Sequence, residues 1–323
     1  MTEIVAIDVG GTNARFAIAE VADGRVMSLG PETTLKTGEH ASFQTAWEVF
    51  CAGLGRPVPD AVAIAFAGPV EGEVLKLTNN PWVIRPTLLP EKLGIGRYLV
   101  INDFGAVAHA VGQLPSGQFS HLCGPDRPLP DEGVISVVGP GTGLGVAQLL
   151  LENGRYHVLA TEGGHMDFAP LDALEDRILV YLRERYRRVS AERVCAGMGL
   201  GNILAALSAL EGRPVAARGD KELWTAALAG EDSMAAAALD RYFLSLGAVV
   251  GDLALAHGAS AVVIAGGLGQ RIAPHLPGSG FHGRFVAKGR FERRMNAMPV
   301  KLIAHPQPGL YGAAAAFALA YPD

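Results

Sequence analysis

The chain repeats itself once, and that repeat constrains its fold more than any other feature. Residues 4–25 read IVAIDVGGTNARFAIAEVADGR and residues 134–155 read VISVVGPGTGLGVAQLLLENGR. At one constant offset, without a gap, Gly11 falls on Gly141, Thr12 on Thr142, Ala17 on Ala147, Gly24 on Gly154 and Arg25 on Arg155. Each copy opens with an apolar run, Ile4–Ile7 or Val134–Val138, that reads as a buried strand. A Gly-rich turn and a second apolar run follow (Phe16–Ala19, Val146–Leu151). Each copy then ends in Asp23-Gly24 or Asn153-Gly154, dipeptides of the hairpin-favouring kind. Gly-rich turns between apolar strands are common, so two unrelated hairpins are the plain alternative. Five identities at one offset, all at turns or strand centres, favour a duplicated β-hairpin lobe.

The remainder alternates strand and helix. Ala41–Leu54 places Phe43, Trp47, Phe50 and Leu54 at helical spacing, with Ser42 or His40 near its start. Short apolar runs at Ala61–Ala67, Tyr98–Ile101, Ala261–Ala265 and Pro299–Ala304 read as strands. Leu174–Arg188, the Ala-rich Ser233–His257, Phe104–Val111 and a final stretch from Gly312 read as helices. Alternating elements give an α/β architecture, and the duplication suggests two lobes with a cleft between them. At 323 residues there is room for two domains. The smaller lobe is expected over residues 1–112 with 305–323, and the larger over 113–304.

Composition removes several classes of protein. The chain is 49% hydrophobic and 18% charged, enough to bury a sizeable core. It carries 27 Lys plus Arg against 32 Asp plus Glu, a net charge of -5, so no global basic field invites nucleic acid. The basic stretch Arg183–Arg188 is interleaved with Glu184 on an expected helix and reads as a solvated face. Cys51, Cys123 and Cys195 are far apart and odd in number, which fits neither a disulfide framework nor a CxxC-type metal site. No basic and apolar leader opens the sequence. The stretch around Leu244–Ala256 contains Asp252 and reads as too mixed for a membrane span. A cytoplasmic enzyme, with no nucleic-acid or membrane partner, is the expectation.

Both Gly-rich turns offer backbone N–H groups with no β-carbon in the way, which suits a phosphate. Neither is a Walker A loop, since no Gly-Lys-Ser/Thr follows, and neither is a Rossmann fingerprint, since a strand comes next. Two such turns could grip one polyphosphate, and Asp8, ending the first strand, could then hold Mg2+ through water. Asp103 follows a strand at the end where open α/β sheets place ligands. It reads either as a general base or, with Asn102, as a helix cap. Glu162 and His165 flank two glycines and read as site residues or as an ordinary loop. Glu192 is indistinct from a capping box with Ser190 or Val189. Gly266-Gly267 and Gly309 read equally as strand-to-helix turns.

Asp8-Val-Gly-Gly-Thr-Asn-Ala-Arg15 resembles the first phosphate motif of the sugar-kinase/actin-type ATPase superfamily, and within it the bacterial glucokinases of the proteobacterial type. The resemblance continues through Thr78–Trp82, Ile101–Phe104, Gly139–Gly145, Glu162–Pro170, Val189–Val194, Ile264–Leu268 and Pro308–Gly312, in order and over nearly the whole chain. It implies a two-lobed duplicated ribonuclease H-like (actin/hexokinase-type ATPase) fold with an inter-lobe cleft. The implied activity is ATP-dependent phosphorylation of D-glucose to glucose 6-phosphate, the first step of glycolysis. A kinase for another hexose, or a non-catalytic sensor on the same fold, is the alternative. Asp103 is implied to be the general base, and Asn102, Asp103, Glu162, His165, Glu192 and Asn79 to contact the sugar. ATP is implied to meet Asp8, Val9, Gly10, Gly11, Thr12, Asn13, Gly141, Thr142, Gly143, Gly266 and Gly267, with Gly309 and Leu310 completing the adenine pocket. ATP and Mg2+ are the expected cofactors and a homodimer the expected assembly. The zinc-holding relatives carry a cysteine cluster after their Glu-x-Gly-His segment; here only Cys195 lies in the thirty residues after His165.

Overall fold

The computed structural model describes every residue except 78, 79, 215–217 and 323. It divides into two compact units, one of Met1–Pro115, Val158–Ala160 and His305–Asp323, the other of Ser116–His157 and Thr161–Ala304.

In the first unit, strands β1 (Thr2–Val9), β2 (Asn13–Ala22), β3 (Arg25–Leu29) and β4 (Thr33–Lys36) precede helix α1 (Phe43–Gly53). Strand β5 (Ala61–Phe66), the small hairpin β6 (Leu75–Lys76) and β7 (Val83–Ile84), helix α2 (Leu89–Leu93), strand β8 (Arg97–Asn102) and helix α3 (Asp103–Gln113) follow. Ser42 starts α1 as half of a capping box with Thr45. The sheet order is β3-β2-β1-β5-β8, with β4 also pairing β2. Strand β5, AVAIAF, is buried on both faces, as a parallel strand covered by helices must be. Its period-two pattern sends Val62, Ile64 and Phe66 to the core under α1, with Phe16, Phe43, Trp47 and Phe50. Ala61, Ala63 and Ala65 face the opposite core.

The second unit holds β9 (Phe119–Cys123), β10 (Gly133–Pro140), β11 (Leu144–Glu152) and β12 (Arg155–Thr161). Helices α4 (Ala173–Tyr186), α5 (Glu192–Cys195), α6 (Gly199–Glu211), α7 (Asp220–Ala229) and α8 (Ser233–Ala256) come next. Then come β13 (Ala261–Ile264), α9 (Gly266–Ile272), α10 (Phe281–Val286), α11 (Glu292–Asn296) and β14 (Val300–Ile303). The order β12-β11-β10-β13-β14 repeats that of the first sheet, and β9 extends its far edge. In each sheet the central strand runs antiparallel to its hairpin partner and parallel to the next strand. The duplication therefore extends from a hairpin to a whole lobe.

Helix α8 is the one element, among the described residues, long and apolar enough to cross a membrane by length and composition. That differs from the sequence expectation. Its apolarity is that of a core helix: 67% of its most hydropathic window is buried, with Tyr242, Leu246 and Val250 in the core of the unit.

The chain then returns to the first unit with α12 (Pro308–Ala320), which starts at Pro308 rather than Gly312 because proline is well placed in a first helical turn. It packs on α3 and on the alanine face of the sheet, through Leu310, Ala313, Ala314 and Phe317. A β-carbon on Gly312 would run into the backbone of Ala106, so the two helices touch through a glycine.

The hairpins are alike but not superposable residue for residue. Val9 pairs with Ala14 in the first, whereas Pro140 pairs with Leu144 in the second. Gly10 N–H donates to Asn13 O at 2.9 Å, leaving Gly11-Thr12 at the tip, while Gly141 N–H donates to Gly143 O at 2.8 Å around Thr142 alone. The gap-free match of sequences thus breaks at the turn: opposite Ile4 lies Ala19, but opposite Val134 lies Leu150. The second turns are the same. Asp23 and Gly24 have φ of 50° and 72°, Asn153 and Gly154 52° and 70°, the positive pair a type I′ turn requires.

Candidate active site

In the first unit the tip of the β1–β2 turn is held from behind. Thr37, buried, donates its hydroxyl to Gly11 O at 2.8 Å and its N–H to Thr12 O at 3.0 Å, and Asn80 Nδ2 donates to Gly11 O at 3.3 Å. With those carbonyls turned inward, the exposed Gly11 and Thr12 present the edge that suits an anion. Val9 is fully buried, so it offers the site backbone alone. Asp8 stands opposite Arg15 across the hairpin, and Arg15 Nη1 donates to Asp8 Oδ2 at 3.2 Å. Burial pushes the Asp8 carboxyl above its usual range, and Arg15 opposes that shift. The pair was legible in principle, since residues facing each other across a turn are cross-strand partners.

Two residues assigned to the adenine pocket are placed by the packing of α12. A β-carbon on Gly309 would sit 3.0 Å from the Asp8 carboxyl carbon, so Gly309 lies beside Asp8. Leu310 is fully buried against Ile4, Ala6 and Ala313, and its side chain has no surface to offer a base. Both follow from the earlier start of α12, which turns its first residues into the sheet.

At the carboxyl end of β8, Asn102 caps α3. Its Oδ1 accepts from the N–H groups of Phe104 and Gly105, each at 2.9 Å, and its Nδ2 donates to Gly68 O at 3.2 Å. One hydrogen of that amide remains for a ligand. Asp103 is the first residue of the helix, half-buried, with Phe104 N–H also within 2.9 Å of its Oδ1. Capping falls to Asn102, so Asp103 is not needed for it. Asn79 lies outside the described residues.

In the second unit the candidate residues gather around the start of β11. Glu192 Oε2 accepts from Leu144 N–H at 3.1 Å, and α5 has no side-chain cap. Glu192 is therefore not part of a capping box. A β-carbon on Gly143 would lie 2.6 Å from Glu192 Oε2, and Gly197 N–H donates to Gly141 O at 2.8 Å. The turn Gly141–Gly143 is thus fastened on one side by the segment Glu192–Gly197. On the other, Gly163 and Gly164 lie flat on β11: β-carbons there would meet Val146 Cγ1 at 2.9 Å and the Leu144 carbonyl. This close approach explains the two glycines between Glu162 and His165, both of which are exposed.

A short two-segment ladder joins these pieces. Ala191 N–H donates to Met166 O at 2.7 Å, Phe168 N–H to Val189 O at 3.0 Å, and Asp167 bridges Ser190. Glu162, His165 and Glu192, dispersed over thirty residues, are thereby carried on one framework with the glycine turn. Gly266 begins α9 with φ of 84°, and its β-carbon would lie 2.8 Å from Pro140 O. Its glycine is explained by packing against β10, whereas Gly267 faces open space. The carbonyl anchors Thr37 and Gly197 escaped the sequence reading, because nothing in a single sequence marks which distant residue will back a turn.

Two copies of one sheet, each bearing a glycine turn at the end of its central strand, are the architecture of the actin-type ATPase fold. Comparison with known proteins gives the family. A family model described as Glucokinase matches residues 5–320. The chain is 66% identical over 321 residues, 99% of each chain, to the glucokinase of Zymomonas mobilis, and 38% identical over 317 residues to that of Xanthomonas campestris, covering 97% and 94% of the two chains. A solved glucokinase from an Antarctic psychrotroph superposes with a TM-score of 0.85 at 31% identity, covering 98% of both. The chain belongs to the glucokinase family.

Proposed function

We propose that the protein transfers the γ-phosphoryl group of ATP to the 6-hydroxyl of D-glucose, giving glucose 6-phosphate and ADP. The observation that carries the assignment of roles is at the end of β8: Asn102 satisfies the first amides of α3, which supports a chemical role for Asp103 beside it. Asp103 takes the 6-hydroxyl proton as that oxygen attacks phosphorus. Glu162, His165 and Glu192 accept hydroxyl hydrogens of the sugar, and Asn102 donates its remaining one. Acceptors of this kind suit a neutral polyol, since each hydroxyl left unpaired would cost affinity.

The turns Gly10–Asn13 and Gly141–Gly143 receive the phosphates through backbone N–H groups, and Gly267 offers an open backbone edge to the nucleoside. Asp8 suits Mg2+: it is a hard carboxylate at a strand end, with one oxygen engaged by Arg15 and the other left for a water of the ion's shell. Magnesium bound with the nucleotide would neutralise phosphate charge. We place the enzyme in the cytoplasm as a homodimer; three free cysteines and the family resemblance support this reading, and sedimentation of the purified protein checks the assembly.

A coupled assay with a panel of hexoses, with ATP and with or without Mg2+, tests the reading. Turnover of glucose that requires Mg2+ is expected. Turnover confined to another hexose would make the protein a different sugar kinase, and none with any sugar would leave a sensor.

A further inference from the structure

Resting on the sugar-site reading above, we infer that Arg188 is a positioning residue for the sugar-binding loop and not a member of a solvated basic face. Helix α4 ends at Tyr186, two residues before the basic stretch does. Arg187 then takes φ of 57° and ψ of -54°, in a region disfavoured for any residue with a β-carbon, and the N–H of Arg188 closes a three-residue turn on Tyr186 O. That turn reverses the chain. It brings Arg188 alongside the Glu162–His165 loop, where Nη2 donates to His165 O at 2.6 Å and Nε pairs with Asp167 Oδ1 at 2.7 Å.

These two contacts use the guanidinium as a fork. One prong fixes the carbonyl of the candidate sugar histidine, and the other fixes the residue two positions on, which itself bridges Ser190. Gly163 and Gly164 have no side chains to lock. Their backbone is held by the His165 N–H to Glu162 O and Met166 N–H to Gly163 O bonds, by Gly163 N–H donating to Thr161 Oγ1 at 3.2 Å and by the ladder to residues 189–191, and none of these reaches the His165 carbonyl. Strained backbone beside a bidentate clamp on a ligand loop is a pattern of preorganisation. Stability alone does not account for it: the Arg188 side chain is 60% exposed, and an ion pair so open to water contributes little to folding.

The test is steady-state kinetics and thermal melting of Arg188→Ala, Arg188→Lys and Asp167→Asn in the full chain. Arg188→Ala is expected to raise the KM for glucose about tenfold, the cost of losing one good hydrogen bond to a charged donor, with the KM for ATP within about twofold and Tm within about 2 °C of the parent, as for surface substitutions. Arg188→Lys should recover part of the loss, since an ammonium reaches one partner but not both. Asp167→Asn should act in the same direction, more weakly, and decides the matter alone should an Arg188 variant fail to fold. An unchanged glucose KM, or equal rises for both substrates, would overturn the inference. Failure of the glucokinase reading itself is distinguishable, because the parent protein would then not phosphorylate glucose at all.

Discussion

Asp8 is an acid held partly out of water beside a single arginine, and its side chain is only 20% exposed. Its carboxyl is pushed above the usual range, chiefly by burial. A group whose folded pKa is raised contributes stability below the unfolded value, and that contribution is lost as pH rises through the folded value. At neutral pH the ionised Asp8 is thus a cost to the fold. Asp8→Asn should melt higher than the parent at pH 7–8, since the amide removes the buried charge. The difference should close as pH falls below about 4, where the unfolded acid is protonated. Arg15, left behind, is 34% exposed and stays solvated. The same variant should lose ATP turnover, which separates a functional cost from a structural one. At Asp103 the expectation reverses: Asp103→Asn should keep Tm, because Asn102 remains the cap, and keep the Kd for glucose within about tenfold. Its kcat should fall about 10²-fold or more, as for loss of a general base. A variant retaining most of its turnover would return Asp103 to a structural role.

Glycines that look equivalent in the second turn are separated by what a β-carbon would meet. At Gly141 the nearest atom is 3.9 Å away, so Gly141→Val should fold with Tm unchanged and impair ATP use where the backbone meets phosphate, leaving glucose binding nearly intact. At Gly143 the β-carbon meets Glu192 Oε2, so Gly143→Ala should displace the carboxylate from Leu144 N–H and raise KM for both substrates. The two variants, assayed for both KM values, distinguish a turn with a role toward the nucleotide alone from one that also holds the Glu192 carboxylate in place. Identical behaviour would mean that Glu192 does not depend on the turn. Element boundaries were largely legible: Ser42 as the start of α1, the β5 and β13 runs, and the two I′ turns all follow from local chemistry. The one-residue difference between the hairpin tips was not, because a turn closing around two residues or one depends on what backs it, here Thr37 for one and Gly197 for the other.

Across the whole molecule the last helix does more than its place at the end of the chain suggests. Residues 116–157 and 161–304 separate most of the first unit from α12, yet Leu310 and Phe317 are at most 1% exposed in its core. Burying two such side chains contributes about 3–6 kcal/mol, a large part of the roughly 5–15 kcal/mol that holds a protein folded. Truncation before Pro308 should therefore abolish cooperative melting of the first unit, read by circular dichroism and by loss of activity. A truncated chain that still melts in one transition at the parent's Tm would refute that dependence.

What the sequence determined by itself was whatever local periodicity and turn chemistry control: a duplicated α/β lobe, the strand ends carrying Asp8 and Asp103, and the glycine turns. The motif resemblance added the kinase family, which the comparisons bear out. Only the tertiary structure decided that Glu192 hangs on Leu144 N–H, that Gly309 faces Asp8 while Leu310 is core, and that Arg188 reaches back to His165. Such contacts join residues tens or hundreds of positions apart, and no local preference encodes them. They are set by how closely glycine-bearing backbones can approach once the sheets and helices have packed.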